Sequence, residues 1–531
     1  MTEQLIVFVL LLFGVSLLSV VADKTKISYP ILLVLAGLVI WLIPGMPILE
    51  MDPDVVFFIF LPPLLYSAAW QTSWNDFWKW KRSIFLLAFG LVIFTSTVVA
   101  FVSIHLIPGF TLALGFLLGG IISPPDAVAA TSVMKGLVVP KRLSVILEGE
   151  SLINDASSLI IYRFAIAAIL TGTFSLGHAS GQFMLVSLMG VVIGVVIANI
   201  LYVIHRYLPT TPSVDTAITL ISPYFCYLAA EYFHFSGVLS VVCAGLFLSW
   251  RSGEIFNYKT RIQAISVWET LIFILNGVVF ILIGLQLPLI IKNLDGFSLP
   301  QVVAYGLVIS VLVMVIRMIW MFPGAYLPLL LFKKLRERET MPSWKAVVIG
   351  GWSGMRGVVS LASALALPLT ITDGSAFPFR NTILFITFCV ILMTLVVQGL
   401  TLPLLIKLAK LPDVDKLEVE EKKLRLTLSY SAIEFIESNY AQEDATRDAL
   451  HHIKTKYEKR MDQINHRMIT ADLSGHSEEV FREFNKVQMQ MINFERQQIK
   501  AMRRKNQFPD DVLRKVEYEL DLEEAALNHF S

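Results

Sequence analysis

Between Leu143 and Leu170 the chain sets Glu148, Glu150, Ser151, Asn154 and Asp155 inside an otherwise apolar run. As a helix rising about 1.5 Å per residue, that run is long enough to cross a bilayer. An acid at the centre of a membrane helix costs about 2.5–3.5 kcal/mol on insertion scales. A merely structural span has no need of several, so the first expectation is an ion or proton site, with one carboxylate serving as an interhelical strut. Ser151 and Asp155 are i and i+4 and share a face, whereas Glu150 and Asn154 form a second such pair rotated by about 100°. One face can hold a cation while the adjacent face meets another helix. A hydroxyl, carboxylates and carbonyls from unwound backbone make an all-oxygen shell, which suits a hard alkali cation.

Two further runs break at membrane depth. One contains Ser123-Pro124-Pro125-Asp126-Ala127-Val128, where consecutive prolines remove backbone donors and an acid follows at once. The other contains Gly350-Gly351-Trp352-Ser353-Gly354-Met355-Arg356-Gly357, a glycine-rich interruption carrying a cation. Paired broken helices point to a transporter site near the midplane, and their ends supply partial charges. Proline and glycine are also ordinary kink residues, so either break alone would mean little. Arg356 in a membrane helix needs a partner. Glu150 is the expected one, with Glu148 as the alternative.

These elements sit in a polytopic frame. Of 531 residues 55% are hydrophobic and 16% charged, and mean hydropathy is +0.67. Residues 412–531 hold 19 Lys+Arg and 24 Asp+Glu, about half of all the charges, which separates a membrane domain at 1–411 from a soluble helical tail at 412–531. The net charge of +1 gives no reason to expect nucleic acid. Thirteen apolar runs fall at about 4–22, 27–45, 54–73, 83–107, 110–134, 143–171, 181–205, 214–233, 236–250, 264–291, 299–322, 345–369 and 380–408. The first lacks a cleavage pattern and reads as a membrane helix. Basic residues gather in alternate loops, at Lys24/Lys26, Lys79/Lys81/Arg82, Lys135/Lys141/Arg142, Arg206, Arg251/Lys259/Arg261 and Lys333/Lys334/Arg336/Arg338. The positive-inside rule makes those loops cytoplasmic, with the amino terminus outside and the tail inside a cell membrane. Runs five and twelve lie seven apart, as two inverted repeats joined by the seventh helix would place them.

The remaining polar and aromatic residues invite plainer roles. Trp70, Trp74, Trp78 and Trp80 read as an interfacial belt rather than a stacking site. Arg163 is expected in an aqueous vestibule or snorkelling outward, and Arg317, near a helix end, is expected to snorkel. His105, His178, His205 and His234 fall at helix ends or in loops, and the role of Glu231 is open. Cys226, Cys243 and Cys389 have no metal spacing and read as packing residues. In the tail, Pro509-Asp510-Asp511 resembles a helix start.

Glu150-Ser151-Leu152-Ile153-Asn154-Asp155-Ala156 resembles the sixth-helix signature of the monovalent cation/proton antiporters, in the Asn-Asp branch of the sodium/proton exchangers. Supporting matches are Phe60 to Tyr66, Ser123 to Ala129, Ser236 to Leu239, Asn276 to Phe280, Gly284 to Leu287, Gly354 to Gly357 and the tail at Glu519 to Ala525. They follow the order of the family and span nearly the whole chain. The resemblance implies an all-α membrane fold of about thirteen helices, with a mobile core at about 83–171 and 299–408. It implies a dimerisation domain at about 4–73 and 181–291, a homodimer, and elevator-like alternating access. Position by position, Asp155 matches the cation and proton carboxylate, Asn154 its electroneutral-branch neighbour, Ser151 a coordinating hydroxyl and Asp126 the acid of the broken fifth helix. Asp155, Asp126 and Ser151 would then hold Na⁺, while Glu150 and Arg356 match a structural ion pair. Pro125 stands where relatives usually have Thr; a hydroxyl is lost, and the Pro125 carbonyl is left as a ligand.

The activity expected is exchange of Na⁺, and by extension Li⁺, for H⁺, with both ions competing for Asp155 and no cofactor. The alternatives are K⁺/H⁺ or mixed cation exchange, and a cation channel, for which no TVGYG-type carbonyl filter is present. No intramembrane nucleophile–base constellation suggests an enzyme.

Overall fold

A computed structural model describes residues 2–25, 29–41, 53–134, 137, 139–172, 176–292, 294–337, 341–371 and 374–411, with short stretches between 426 and 524. The chain divides into two compact units, Met1–Asp413 and Val414–Ser531. Most of the second, including Pro509 to Asp511, lies outside the described residues, as do Lys26, Lys135, Arg338 and the side chain of His178.

The first unit is built from helices. They begin with α1 (Thr2–Thr25), α2 (Tyr29–Trp41), α3 (Pro53–Gln71), α4 (Trp74–Phe85) and α5 (Val92–Leu106), the last two joined by a π-helical segment at Leu86–Leu91. The first interrupted pair is α6 (Leu112–Ile122) and α7 (Ala127–Met134), followed by α8 (Lys141–Thr171). Next come α9 (Leu176–Tyr207), α10 (Pro212–Tyr232), α11 (Gly237–Trp250), α12 (Ser252–Ile255), α13 (Tyr258–Lys292), α14 (Leu299–Leu331) and α15 (Lys333–Arg336). The second interrupted pair is α16 (Trp344–Trp352) and α17 (Val358–Leu365). α18 (Arg380–Met393) and α19 (Gly399–Ala409) close the unit around a π-helical turn at Thr394–Gln398. Among the described residues there is no strand, only an isolated bridge between Thr370 and Ala376. Each of the thirteen apolar runs carries helix, and seven of the described helical segments are long and apolar enough to cross a membrane.

Two boundaries differ from the hydropathy pattern. Residues 74–82 are helix rather than loop. Ser73 caps α4 by accepting the Asp76 N–H, and α4 buries Phe77 and Ile84 while turning its charges outward. Trp74, Trp78 and Trp80 therefore ride on α4, and only Trp70 lies on α3. The run expected to stop at 322 continues to Leu331, because Pro323 and Pro328 are taken up within α14. That extension moves Arg317 from near an end to mid-helix. Its snorkelling is overturned, since Arg317 is fully buried.

His205 is likewise buried, with Nδ1 2.8 Å from Asp215 Oδ1. Asp215 Oδ2 accepts from Thr260 Oγ1 at 3.3 Å, which ties α9, α10 and α13 together at one end. The π-helical Leu86–Leu91 segment serves the centre: Ser157 of α8 donates to the Ala88 carbonyl at 2.5 Å.

The approach of α5 to α6 depends on the absence of side chains. A Cβ at Gly119 would stand 2.7 Å from Ser96 Cα and 2.7 Å from its carbonyl oxygen, and one at Gly115 would stand 2.7 Å from Ala100 Cα. These neighbours are backbone and cannot rotate away. Gly119→Val should therefore destabilise the purified protein by about 1–3 kcal/mol, the usual range for an overpacked interior. Thermal unfolding in detergent measures it, and an unchanged melting temperature would show that α6 is not held by this contact.

Candidate ion-binding site

The two interruptions meet. Asp126, the residue just before α7, donates its backbone N–H to the Met355 carbonyl at 2.7 Å, so the second break is stitched to the first. The Asp126 side chain then faces the amino ends of both second halves. Its Oδ1 accepts from Val128 at 2.8 Å, and the backbone N–H groups of Ala129 and Val358 also donate to the carboxyl. A negative charge suits this position, because both helix dipoles present their positive ends and unpaired N–H groups there. A Cβ at Gly357 would overlap Asp126 Oδ2, so only glycine admits the acid.

The carboxyl ends of the first halves carry the opposite charge. Arg356 donates Nε to the Ile122 carbonyl, the last residue of α6, at 3.1 Å, and Nη1 to the Gly354 carbonyl. Arg317 donates Nη2 to the Gly350 carbonyl of α16 at 3.4 Å. Two guanidinium groups thus meet carbonyls that a continuous helix would have satisfied internally.

Here the expected ion pair is corrected. Glu150 pairs with Arg317, not Arg356, through a two-pronged contact of 2.5 Å from Nη1 to Oε1 and 2.9 Å from Nη2 to Oε2. All three side chains are buried, and Arg356 is occupied by backbone carbonyls. α14 presents the Arg317 fork to both carboxylate oxygens, whereas the Arg356 guanidinium is taken up by the Ile122 and Gly354 carbonyls. Glu148, the alternative partner, is exposed.

Asp126, Ser151, Asp155 and Pro125 line one cavity of about 180 Å³. Its far wall comes from α3 and α13, with Ser67, Gln71 and Asn276 as polar members, of which the sequence marks only Asn276, through the family resemblance. Asp155 is 7% exposed, and among the described residues no donor meets its carboxylate. Ser151 Oγ accepts from the Ala127 N–H at 3.1 Å and so also caps α7. Asn154 lies off the cavity and fully buried, where its Nδ2 donates to the Pro125 carbonyl at 3.0 Å. Asn154 thereby braces the break that holds Asp126, and among the described residues its Oδ1 has no partner. Arg163, expected in an aqueous vestibule or snorkelling outward, is partly exposed and contacts Glu231 at 2.5 Å.

The chemistry available is cation exchange at oxygen. One carboxylate is already satisfied by N–H groups, a second is not, and carbonyl and hydroxyl oxygens stand beside them. Interrupted helices meeting around an acid-lined cavity in an apolar helical unit define a membrane transporter. The sodium proton antiporter MjNhaP1 of Methanocaldococcus jannaschii shares the fold, with a TM-score of 0.59 at 19% identity over 76% of this chain and 98% of that one. Residues 7–408 match the family described as sodium/hydrogen exchanger, transmembrane, and the chain belongs to that family. It is 30% identical to an uncharacterised Na⁺/H⁺ exchanger of Mycobacterium tuberculosis, over 98% of this chain and 96% of that protein. It is also 34% identical to the sodium, potassium, lithium and rubidium/H⁺ antiporter of Bacillus subtilis, over 71% of this chain and 58% of that protein.

Removing one member of a buried ion pair strands the other charge and costs about 3–5 kcal/mol. Arg317→Ala should therefore lower the thermal stability of the purified protein by that order. The joint change Glu150→Leu with Arg317→Met should recover much of the loss. Wild-type melting for Arg317→Ala alone would remove the pair from the structural account.

Proposed function

We propose that this protein exchanges Na⁺, and Li⁺ by the same chemistry, for H⁺ by alternating access, with both ions competing for Asp155. The observation that carries this is the Asp155 carboxylate, set in a cavity at mid-helix with no donor among the described residues. Either a proton or a monovalent cation neutralises it. If the unit rearranges only when Asp155 is neutral, movement with an empty site is suppressed, because an unpaired carboxylate is costly to carry past apolar surfaces.

Asp126, Ser151 and the Pro125 carbonyl complete the proposed shell around Na⁺. Ser151 and Pro125 each keep a lone pair beyond the hydrogen bonds they already accept. Asn154 in place of a second acid favours electroneutral exchange, since one titrating carboxylate then trades one cation for one proton. In the proposed cycle, residues at about 83–171 and 299–408 move as a core against about 4–73 and 181–291, which also form a homodimer interface. The protein would lie in the cell membrane with its amino terminus outside, and residues 412–531 would be a cytoplasmic regulatory or dimer-supporting domain. A role in pH homeostasis follows from the exchange.

A second proposal is mixed exchange that includes K⁺. The names of the Bacillus relatives favour it, because those proteins are described as antiporters of sodium, potassium, lithium and rubidium.

Purified full-length protein in liposomes tests both. Dissipation of an imposed pH gradient is followed against Na⁺, Li⁺ and K⁺ with the membrane potential clamped. Wild-type protein should respond to Na⁺, and Asp155→Asn should fall to the rate of empty liposomes. Retained Na⁺-driven exchange in Asp155→Asn would overturn the role of that residue. A K⁺ response equal to that for Na⁺ would select mixed exchange, and a response that changes with the clamped potential would overturn electroneutrality.

A further inference from the structure

The cavity reaches Asp155 from one end of α8. The α8 residues that line it are Ser151, Leu152 and Asp155, and the α3 residues run on to Gln71, next to the basic helix α4. Beyond Asp155, toward Thr171, α8 closes against α10 and α11. Ala156 and Leu159 share one buried cluster there with Val238, Val241 and Val242 of α11. Such an apolar seam is non-directional and resists sliding only through the area it buries.

One polar contact crosses the same boundary. Arg163 lies about 12 Å past Asp155 along the helix axis, given a rise of about 1.5 Å per residue. Its Nη2 donates to Glu231 Oε1 at 2.5 Å. Glu231 is near the end of α10, and the same oxygen accepts the backbone N–H of Gly237, the first residue of α11, at 3.2 Å. Tyr227, one turn earlier on α10, also hydrogen-bonds to Arg163. A single carboxylate oxygen therefore joins three helices. Gly237 is required for this: a Cβ would stand 2.7 Å from the Tyr227 ring and 2.9 Å from Glu231 Oε1.

The pair is neither sealed in nor fully exposed, with the side chains 40% and 27% accessible. Water can replace its partners when it opens, so it can form and break repeatedly, unlike the buried contact of Glu150 with Arg317.

We propose that Arg163 and Glu231 form a latch that holds the Thr171 end of α8 shut while the cavity is open from the Lys141 end. It must release before Asp155 can be reached from the opposite face. This rests on the alternating-access proposal above. It adds a pair of residues that set the balance between the two facing states without touching the ion.

The test reads access rather than transport. In full-length protein with Cys226, Cys243 and Cys389 changed to Ala, Leu159→Cys places a thiol in the α8–α11 seam. A membrane-impermeant maleimide is then applied to each face of oriented proteoliposomes. Arg163→Gln and Glu231→Gln should each speed labelling from the Thr171 face by about two- to fivefold, the range that a partly exposed ion pair supports. The double substitution should add nothing to either single one. Exchanging the charges, Arg163→Glu with Glu231→Arg, should restore slow labelling. Unchanged labelling in the single variants, or additive labelling in the double, would overturn the latch. Should Arg163→Gln fail to fold, Glu231→Gln carries the labelling test alone, with unchanged labelling again overturning the latch. Labelling does not depend on ion turnover. Loss of the exchange proposal in the Asp155→Asn experiment would therefore leave this result independently readable, and unchanged labelling in a variant that still exchanges ions would overturn the latch alone.

Discussion

The structure depends on what two interrupted helices do with their ends. A continuous helix satisfies its own backbone, but each break exposes N–H groups on one side and carbonyls on the other, and hydrocarbon supplies no water to replace them. Here the two breaks satisfy each other. Asp126 stands before the amino ends of α7 and α17, while Arg356 and Arg317 take up carbonyls of α6, α16 and the break itself. The charges are opposite to the dipoles they face, so the arrangement is favourable in both places. Glu150 then balances the charge of Arg317, while Arg356 is held by carbonyl oxygens.

That frame explains why residues with similar chemistry do different things within about a turn and a half of α8. Glu150 and Asn154 lie on the face turned toward the breaks, and both are consumed there by Arg317 and the Pro125 carbonyl. Ser151 and Asp155 lie on the next face and line the cavity. The rotation of about 100° between adjacent residues is enough to separate bracing from exposure. Ser151 partly joins both groups, because capping α7 fixes where its hydroxyl points.

Much of this was legible in the sequence, and what was not has identifiable causes. Prolines beside an acid and glycines beside a cation marked both breaks, because both residue types disrupt a helix in a way that local pattern reveals. Acids within an apolar run marked α8. The partner of Glu150 was not legible, since Pro323 ended the hydropathic run and made Arg317 look terminal. Tertiary packing carries α14 through both prolines, and no local rule announces that. The helical character of residues 74–82 was hidden by their charge, because that segment is amphipathic rather than apolar. The far wall of the cavity was nearly silent for another reason. Ser67 and Gln71 of α3 and Asn276 of α13 are isolated polar residues in apolar helices, and only the fold brings them to one cavity with Asp155.

The contrast between the two acids bears most directly on the proposed exchange. Asp126 is met by several backbone donors and two helix ends, which offset part of the cost of burying its charge whether or not an ion is present. Asp155 has no such compensation from the described residues and must take it from what enters the cavity. A site with two uncompensated acids would hold a cation more tightly but release it less readily when a proton arrives. A site with none would have nothing for the proton to replace. In the proposed exchange, leaving one carboxylate open beside one that is fixed would confine the competition between proton and cation to a single group. It would also leave the surrounding helices with the same charge balance in both loaded states, so that a common movement could carry either ion.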